Sequence, residues 1–222
     1  MVNACLYSGG KDSTLALHKA IGMGIQVELL ITMEPKRTDS YMFHHPNTKW
    51  TELQSRSMEI RHVFSTTHGE KELELEDLED TLLKNNVTLL ITGATYSKYQ
   101  ADRIAKILQD NGMEGVNPLW HIDPLDELGE LSHDFDAIVT SVSAEGFDES
   151  MLGKRIDEKM IGKLQELNKK YGANMLFEGG EAESFVLDAP LFKKKIEILD
   201  AQKEFSGGRG TYTIKDARLV SK

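Results

Sequence analysis

A chain of 222 residues with 40% hydrophobic and 28% charged residues has the make-up of a globular protein, enough for one large domain or a domain with a smaller companion. Its net charge of −10 counts against broad nucleic-acid binding, which needs a basic face to neutralise phosphates. The lone Cys5 excludes an internal disulfide and a CxxC site, no apolar run reaches the length of a membrane span, and Asn3 and an early glycine loop argue against a signal peptide. A reducing cytoplasm is the expected setting.

Residues 2–7 are an apolar run broken by one Asn, and 13–23 carry a helical stripe of Leu15, Ala16, Leu17 and Ala20. A turn at 22–24 and a buried strand over 26–33 complete a right-handed βαβ unit. Residues 34–46 show no periodicity and read as a functional loop at the strand's carboxyl edge. The adjacent His44 and His45 face different ways on either helix or strand, so they do not form a two-histidine metal site. A helix over 50–60 and a third strand over 62–65 follow. Residues 73–83 form an acidic helix, with Glu74, Glu76 and Asp77 on a solvated face and Leu75, Leu78, Leu82 and Leu83 beneath. A strand over 87–92 leads through Gly93, Tyr96 and Ser97 into a helix over 98–109. Helix 125–133 and a fifth strand over 135–142 close the alternating pattern. The expected architecture is a doubly wound α/β parallel sheet over 1–142, followed by a smaller α+β domain over 143–222 with a helix over 155–171. Lys193, Lys194 and Lys195 form the one basic run, read as a solvated strand entry.

Two stretches carry chemistry. The first is Tyr7-Ser8-Gly9-Gly10-Lys11-Asp12-Ser13-Thr14, between the first strand and the first helix. Strand, glycine loop and helix start aim backbone N–H groups and the positive end of a helix dipole at an anion. Gly9 and Gly10 permit positive φ and close approach of phosphate oxygens. Ser8, Ser13 and Thr14 add hydroxyls, Lys11 a mobile cation, and Asp12 a cap or Mg²⁺ ligand. The spacing is not that of the Walker loop. Gln100 and Arg103 lie one turn apart on the helix after Gly93, so both side chains can return to the strand edge where ligands collect. The second stretch, residues 177–192, sets Glu178, Glu181, Glu183 and Asp188 around a Gly-Gly pair and between Phe185, Leu187 and Phe192. Carboxylates in such an apolar frame suit Mg²⁺, ammonium or a substrate amine.

Ser-Gly-Gly-Lys-Asp-Ser resembles, residue for residue, the PP-loop of the ATP pyrophosphatase superfamily; a chance match in a chain this long occurs about once in a thousand. With Gly93-Ala-Thr-Tyr-Ser-Lys-Tyr-Gln-x-x-Arg103, Glu178-Gly-Gly-Glu-x-Glu, and Leu187-Asp-x-Pro-Leu-Phe-Lys, the chain resembles the diphthine–ammonia ligases along essentially its whole length. Ala144-Glu-Gly-Phe-Asp148 and Leu152-Gly-Lys154 are similar to segments of that family too. Ala182 and Ser184 fall where variation is expected, and no role is assigned to them.

The resemblance implies a ligase that uses ATP and Mg²⁺ to amidate diphthine on elongation factor two with ammonium, through an acyl-adenylate, releasing AMP and pyrophosphate. It implies that Tyr7, Ser8, Gly9, Gly10, Lys11, Asp12, Ser13, Thr14, Gly93, Tyr96 and Gln100 bind the nucleotide, with Asp12 near the metal. Lys11, Asp12 and Arg103 would serve the phosphates, and Glu178, Glu181 or Glu183 would take the proton from ammonium. No membrane partner is expected, a homodimer is one compatible assembly, and the oligomeric state stays open. Two other readings remain at this point. One is a tRNA-modifying PP-loop ligase, which the charge disfavours; the other is a nucleotide-binding protein without turnover.

Overall fold

The computed structural model describes residues 1–35, 47–67, 73–95 and 98–222, without the side chains of Pro35 and of 98–100. It divides into two compact units, Met1–Ser8 with Asp12–His121, and Gly9–Lys11 with Ile122–Lys222. The residues Tyr41, Phe43, His44 and His45 of the expected functional loop lie outside the described residues.

The first unit is built on β1 (Val2–Leu6), β2 (Leu29–Pro35), β3 (Arg61–Thr67), β4 (Val87–Ile91) and β5 (Glu114–Val116). They form a five-stranded sheet in the order β3-β2-β1-β4-β5, every pair parallel. Parallel strands need crossovers, and α1 (Lys11–Gly22), α2 (Thr51–Met58), α3 (Leu73–Lys84) and α4 (Lys98–Asp110) supply them. One core gathers Leu29, Ile31 and Leu90 from strands with Leu78, Leu82 and Ile107 from α3 and α4. Leu15, Leu17 and Ala20 of α1 are fully buried as well. Each of these leucines and isoleucines contributes about 1.5–3 kcal/mol by leaving water. Sheets buried on both faces read as unbroken apolar runs, which is why β1, β2 and β4 were legible. Two details of α3 differ from the expected solvated face: Glu74 is fully buried, whereas Leu83 is 48% exposed.

The second unit holds α5 (Pro124–Asp134), β6 (Asp136–Val142), α6 (Glu158–Tyr171), β7 (Ala182–Asp188), β8 (Lys195–Ser206) and β9 (Arg209–Val220). Its four strands form an antiparallel sheet in the order β7-β6-β9-β8. The division therefore falls at His121/Ile122, not at 142/143. The short β5, which has neither length nor apolar side chains at Glu114 and Gly115, takes the fifth place in the parallel sheet, and β6 belongs to the antiparallel one. Both helices start as the capping rules dictate. Asp123 accepts from the N–H of Leu125 and Asp126 ahead of Pro124 at the first turn, and Asp157 accepts from Met160 N–H. Buried Met160, Leu164 and Leu167 form the inward stripe of α6, which ends on Gly172 in the left-handed conformation. Among the described residues no helix is long and apolar enough to cross a membrane.

Candidate active site

In the strand order of the parallel sheet, β1 and β4 are the neighbours from which the chain departs in opposite directions, and ligands of open α/β sheets collect at the carboxyl ends of such strands. The glycine loop follows β1 and Gly93 follows β4. Tyr7, at the loop entrance, is held on three sides. Its N–H donates to Ile31 O at 2.8 Å, its carbonyl accepts from the Thr32 hydroxyl at 2.7 Å, and its phenol meets Thr14 Oγ1 at 3.1 Å. The side chains of Tyr7 and Thr14 are thus spent on each other in the core, and burial drives the phenol pKa well above its usual value. Ser8 N–H reaches Ser13 Oγ at 3.3 Å and the two hydroxyls lie 3.2 Å apart, closing the turn with Gly9 at φ 80°. Gly10 does not share that positive φ, since it already leads into α1. The first turn of α1 carries Asp12, whose charge suits the helix dipole. Gly93 approaches that turn so closely that a Cβ there would lie 2.8 Å from the Asp12 carbonyl carbon and from Ser13 N.

Behind the loop, the Thr32 hydroxyl that supports Tyr7 O lies 2.8 Å from His62 Nε2, so a neutral ring donates from Nε2 to it. Burial lowers the His62 pKa from 6.5 to about 4. Between those values the unfolded chain takes up a proton that the folded chain refuses, so stability present above pH 6.5 is lost as pH falls towards 4. Urea melts of the wild type and His62→Gln at pH 7 and pH 5 should show a smaller acid loss in the variant; identical losses would refute this account.

The tip of the loop belongs to the second unit. Gly9 O accepts from Val186 N–H at 3.0 Å, and Lys11 N–H donates to Ser184 Oγ at 3.0 Å. Strand β7 is the edge of its sheet, and the loop tip meets it through one backbone N–H, that of Val186, and one side-chain hydroxyl, that of Ser184. The Lys11 side chain is fully buried and is not a mobile cation. Its ammonium donates to Leu176 O at 2.8 Å, lies 3.6 Å from Oε1 of an equally buried Glu127, and stands 5.3 Å over the Phe177 ring.

The acidic segment is built onto this anchor. Glu181 spends both oxygens on its own loop, accepting from Asn174 N–H at 3.0 Å and Gly179 N–H at 2.8 Å. Phe177 takes a left-handed φ of 71° and its carbonyl accepts from Gly180 N–H at 3.0 Å. Ser143 fastens the same turn, its N–H to Glu181 O and its hydroxyl to Gly180 O. Glu178 and Glu183 are half-buried. Strand alternation sets Glu183 on the face opposite its neighbours Ala182 and Ser184, which are buried. Arg103 stands half-buried on α4 of the first unit. Tyr96 and Ser97 lie outside the described residues, as does the side chain of Gln100. Among the described residues no group of three or more His, Cys, Asp or Glu could hold a metal ion.

The sequence reading did not identify Ser184, Glu127, Thr32 and His62. Two of these left a readable signal. Ser184 lies on the same strand face as the buried Ala182 and Val186, and Glu127 sits four residues before the buried Leu131, on the apolar face of α5.

Comparison with known proteins supplies the context. Residues 1–115 match the diphthamide synthase N-terminal domain and residues 123–220 the diphthamide synthase C-terminal domain. The human protein named diphthine–ammonia ligase is 34% identical, over 90% of this chain and 83% of its own length. The zebrafish (Danio rerio) protein of that name is 33% identical over 88% and 85%. The Saccharomyces cerevisiae protein of that name is 27% identical over 98% of this chain but 36% of its own. A solved structure described as a predicted subunit of tRNA methyltransferase from Methanocaldococcus jannaschii aligns with 86% of this chain and 98% of its own. Its identity is 16% and its TM-score 0.44, a likeness too slight to bear on fold or function.

Proposed function

Because the chain belongs to the diphthamide synthase family, along both of its domains, we propose that it is the ligase that amidates diphthine, using ATP and ammonium. The observation that carries this reading is the tie between the two motif stretches: the glycine loop closes through Ser8 and Ser13, and its tip is bonded to Ser184 and Val186 of the acidic segment. A loop that fits phosphate and a segment that carries carboxylates are two parts an ATP-driven amide synthesis requires.

A carboxylate does not react with ammonia at neutral pH, because oxide is too poor a leaving group. In the proposed route a diphthine carboxylate oxygen attacks the α-phosphorus of ATP, the bond to the β-phosphate oxygen breaks, and pyrophosphate departs. Ammonia then attacks the acyl carbon and AMP leaves. The N–H groups and hydroxyls from Ser8 to Ser13 sit at a helix N-terminus, where charge building on departing pyrophosphate is best stabilised. These groups fit a polyphosphate, and Asp12 in the first turn fits a Mg²⁺ that keeps most of its other ligands from phosphate and water. The ion would neutralise phosphate charge. Arg103 is assigned to the α-phosphate or the substrate carboxylate. Ammonium must lose a proton before it attacks. Glu183 and Glu178 are better placed for that than Glu181, whose oxygens already accept two backbone hydrogen bonds. The protein substrate is elongation factor two carrying diphthine, which places the reaction in the cytoplasm.

Incubation with ATP, Mg²⁺, ammonium and diphthine-bearing elongation factor should yield AMP, pyrophosphate and an acceptor lighter by one atomic mass unit, the difference between OH and NH₂. ADP as the product, or turnover with tRNA in place of the factor, would reject the reading.

A further inference from the structure

We infer that Glu127 is a positioning residue for the phosphate loop, acting through Lys11; the inference rests on the reading of that loop as the pyrophosphate grip. Glu127 projects from α5, far in sequence from both motif stretches, and is fully buried with Lys11. A lysine ammonium inside a protein must be compensated, and Leu176 O at 2.8 Å, Glu127 at 3.6 Å and the Phe177 ring at 5.3 Å contribute to this. Glu127 brings a full negative charge to this environment.

The consequence is mechanical. Lys11 is both the first residue of α1 and the end of the loop. Its side chain is pulled inward by Glu127 and Leu176 O, while its N–H is held by Ser184 and the carbonyl of Gly9 by Val186. The loop tip is therefore fixed at both main chain and side chain. Removing the Glu127 charge takes a full negative charge from beside the buried ammonium, and the cheapest relief is for Lys11 to shift outward and drag the tip with it. A loop displaced by about 1 Å no longer presents its donors at the phosphate positions, and misplacements of that size cost up to about 100-fold.

The test uses the full chain and four proteins: wild type, Glu127→Gln, Lys11→Met, and the Lys11→Met/Glu127→Met double variant. Binding of inorganic pyrophosphate is measured by calorimetry, the KM for ATP and kcat by AMP release, and folding by thermal melts. Glu127→Gln is expected to weaken pyrophosphate binding and raise the KM for ATP by about tenfold or more. The double variant, which replaces the ion pair with apolar side chains of similar length, should lose no more than the worse single variant. Glu127→Gln with a lowered melting midpoint but wild-type pyrophosphate affinity and KM would reduce the residue to a structural one and overturn the inference. A double variant whose losses equal the product of the single losses would overturn it too, because Lys11 would then act on phosphate independently of Glu127. If the wild type forms AMP but binds no pyrophosphate, this inference alone falls. If it neither binds pyrophosphate nor forms AMP, the functional reading falls with it.

Discussion

Replacing Gly93 with Ala is expected to cut AMP formation by about 100-fold or more. The added Cβ would stand 2.8 Å from the Asp12 carbonyl carbon and Ser13 N, and 2.9 Å from Asp12 O. All three are backbone atoms of the first turn of α1, so no rotamer change relieves the clash. Either the start of α1 or the end of β4 must move by several tenths of an ångström. A shift there is passed directly to Ser8, whose N–H and hydroxyl meet Ser13 Oγ at 3.3 and 3.2 Å. The fold should survive, because overpacking by one methyl costs about 1–3 kcal/mol. Gly22→Ala is the control: it lies in the same helix, and a Cβ there meets no atom within 4 Å. AMP release by Gly93→Ala within about twofold of wild type would show that the close approach does not govern the loop.

Glu183→Gln and Glu181→Gln should fail in different ways. Removing a general base typically costs 10²–10⁴-fold, so Glu183→Gln should lose about 100-fold or more in amide formation while keeping most of its ATP–pyrophosphate exchange. Glu181→Gln leaves one of its two backbone donors, Asn174 N–H or Gly179 N–H, without a carboxylate oxygen. A charge-assisted bond of this kind is worth about 1.5–3 kcal/mol, less where water reaches it. That variant should melt at a lower temperature and lose exchange and amidation together. If Glu181→Gln spared exchange and Glu183→Gln lowered both steps equally, the two roles would have to be reversed. The contrast separates a carboxylate that meets the substrate from one that shapes the turn beside it.

Much of the first unit was legible because burial on both faces writes itself into sequence as unbroken apolar runs at β1, β2 and β4. Strand β5 was not, since its three residues, Glu114, Gly115 and Val116, carry no periodicity to read. Its omission put β6 into the wrong sheet and moved the expected boundary by some twenty residues. The turn between β1 and α1 was readable from its glycines and the apolar runs on either side. What spacing could not convey was the environment of Lys11. Whether a lysine beside two glycines faces solvent or a buried carboxylate depends on residues about 115 to 175 positions away, and no local pattern records that pairing. Glu181 is the converse case. The motif pointed to it as a candidate proton acceptor, but its two bonds to backbone N–H groups make it a fastener of the 174–181 turn.

The discontinuous second unit has a bearing on how this protein can be taken apart. A fragment starting at Ile122 would contain every strand and helix of that unit yet lack Gly9–Lys11. Glu127 would lose the Lys11 ammonium 3.6 Å away, and the Val186 N–H would lose the Gly9 carbonyl at the sheet edge. The carboxyl-terminal half cut off from Gly9–Lys11 is thus expected to be less stable than the same half within the full chain.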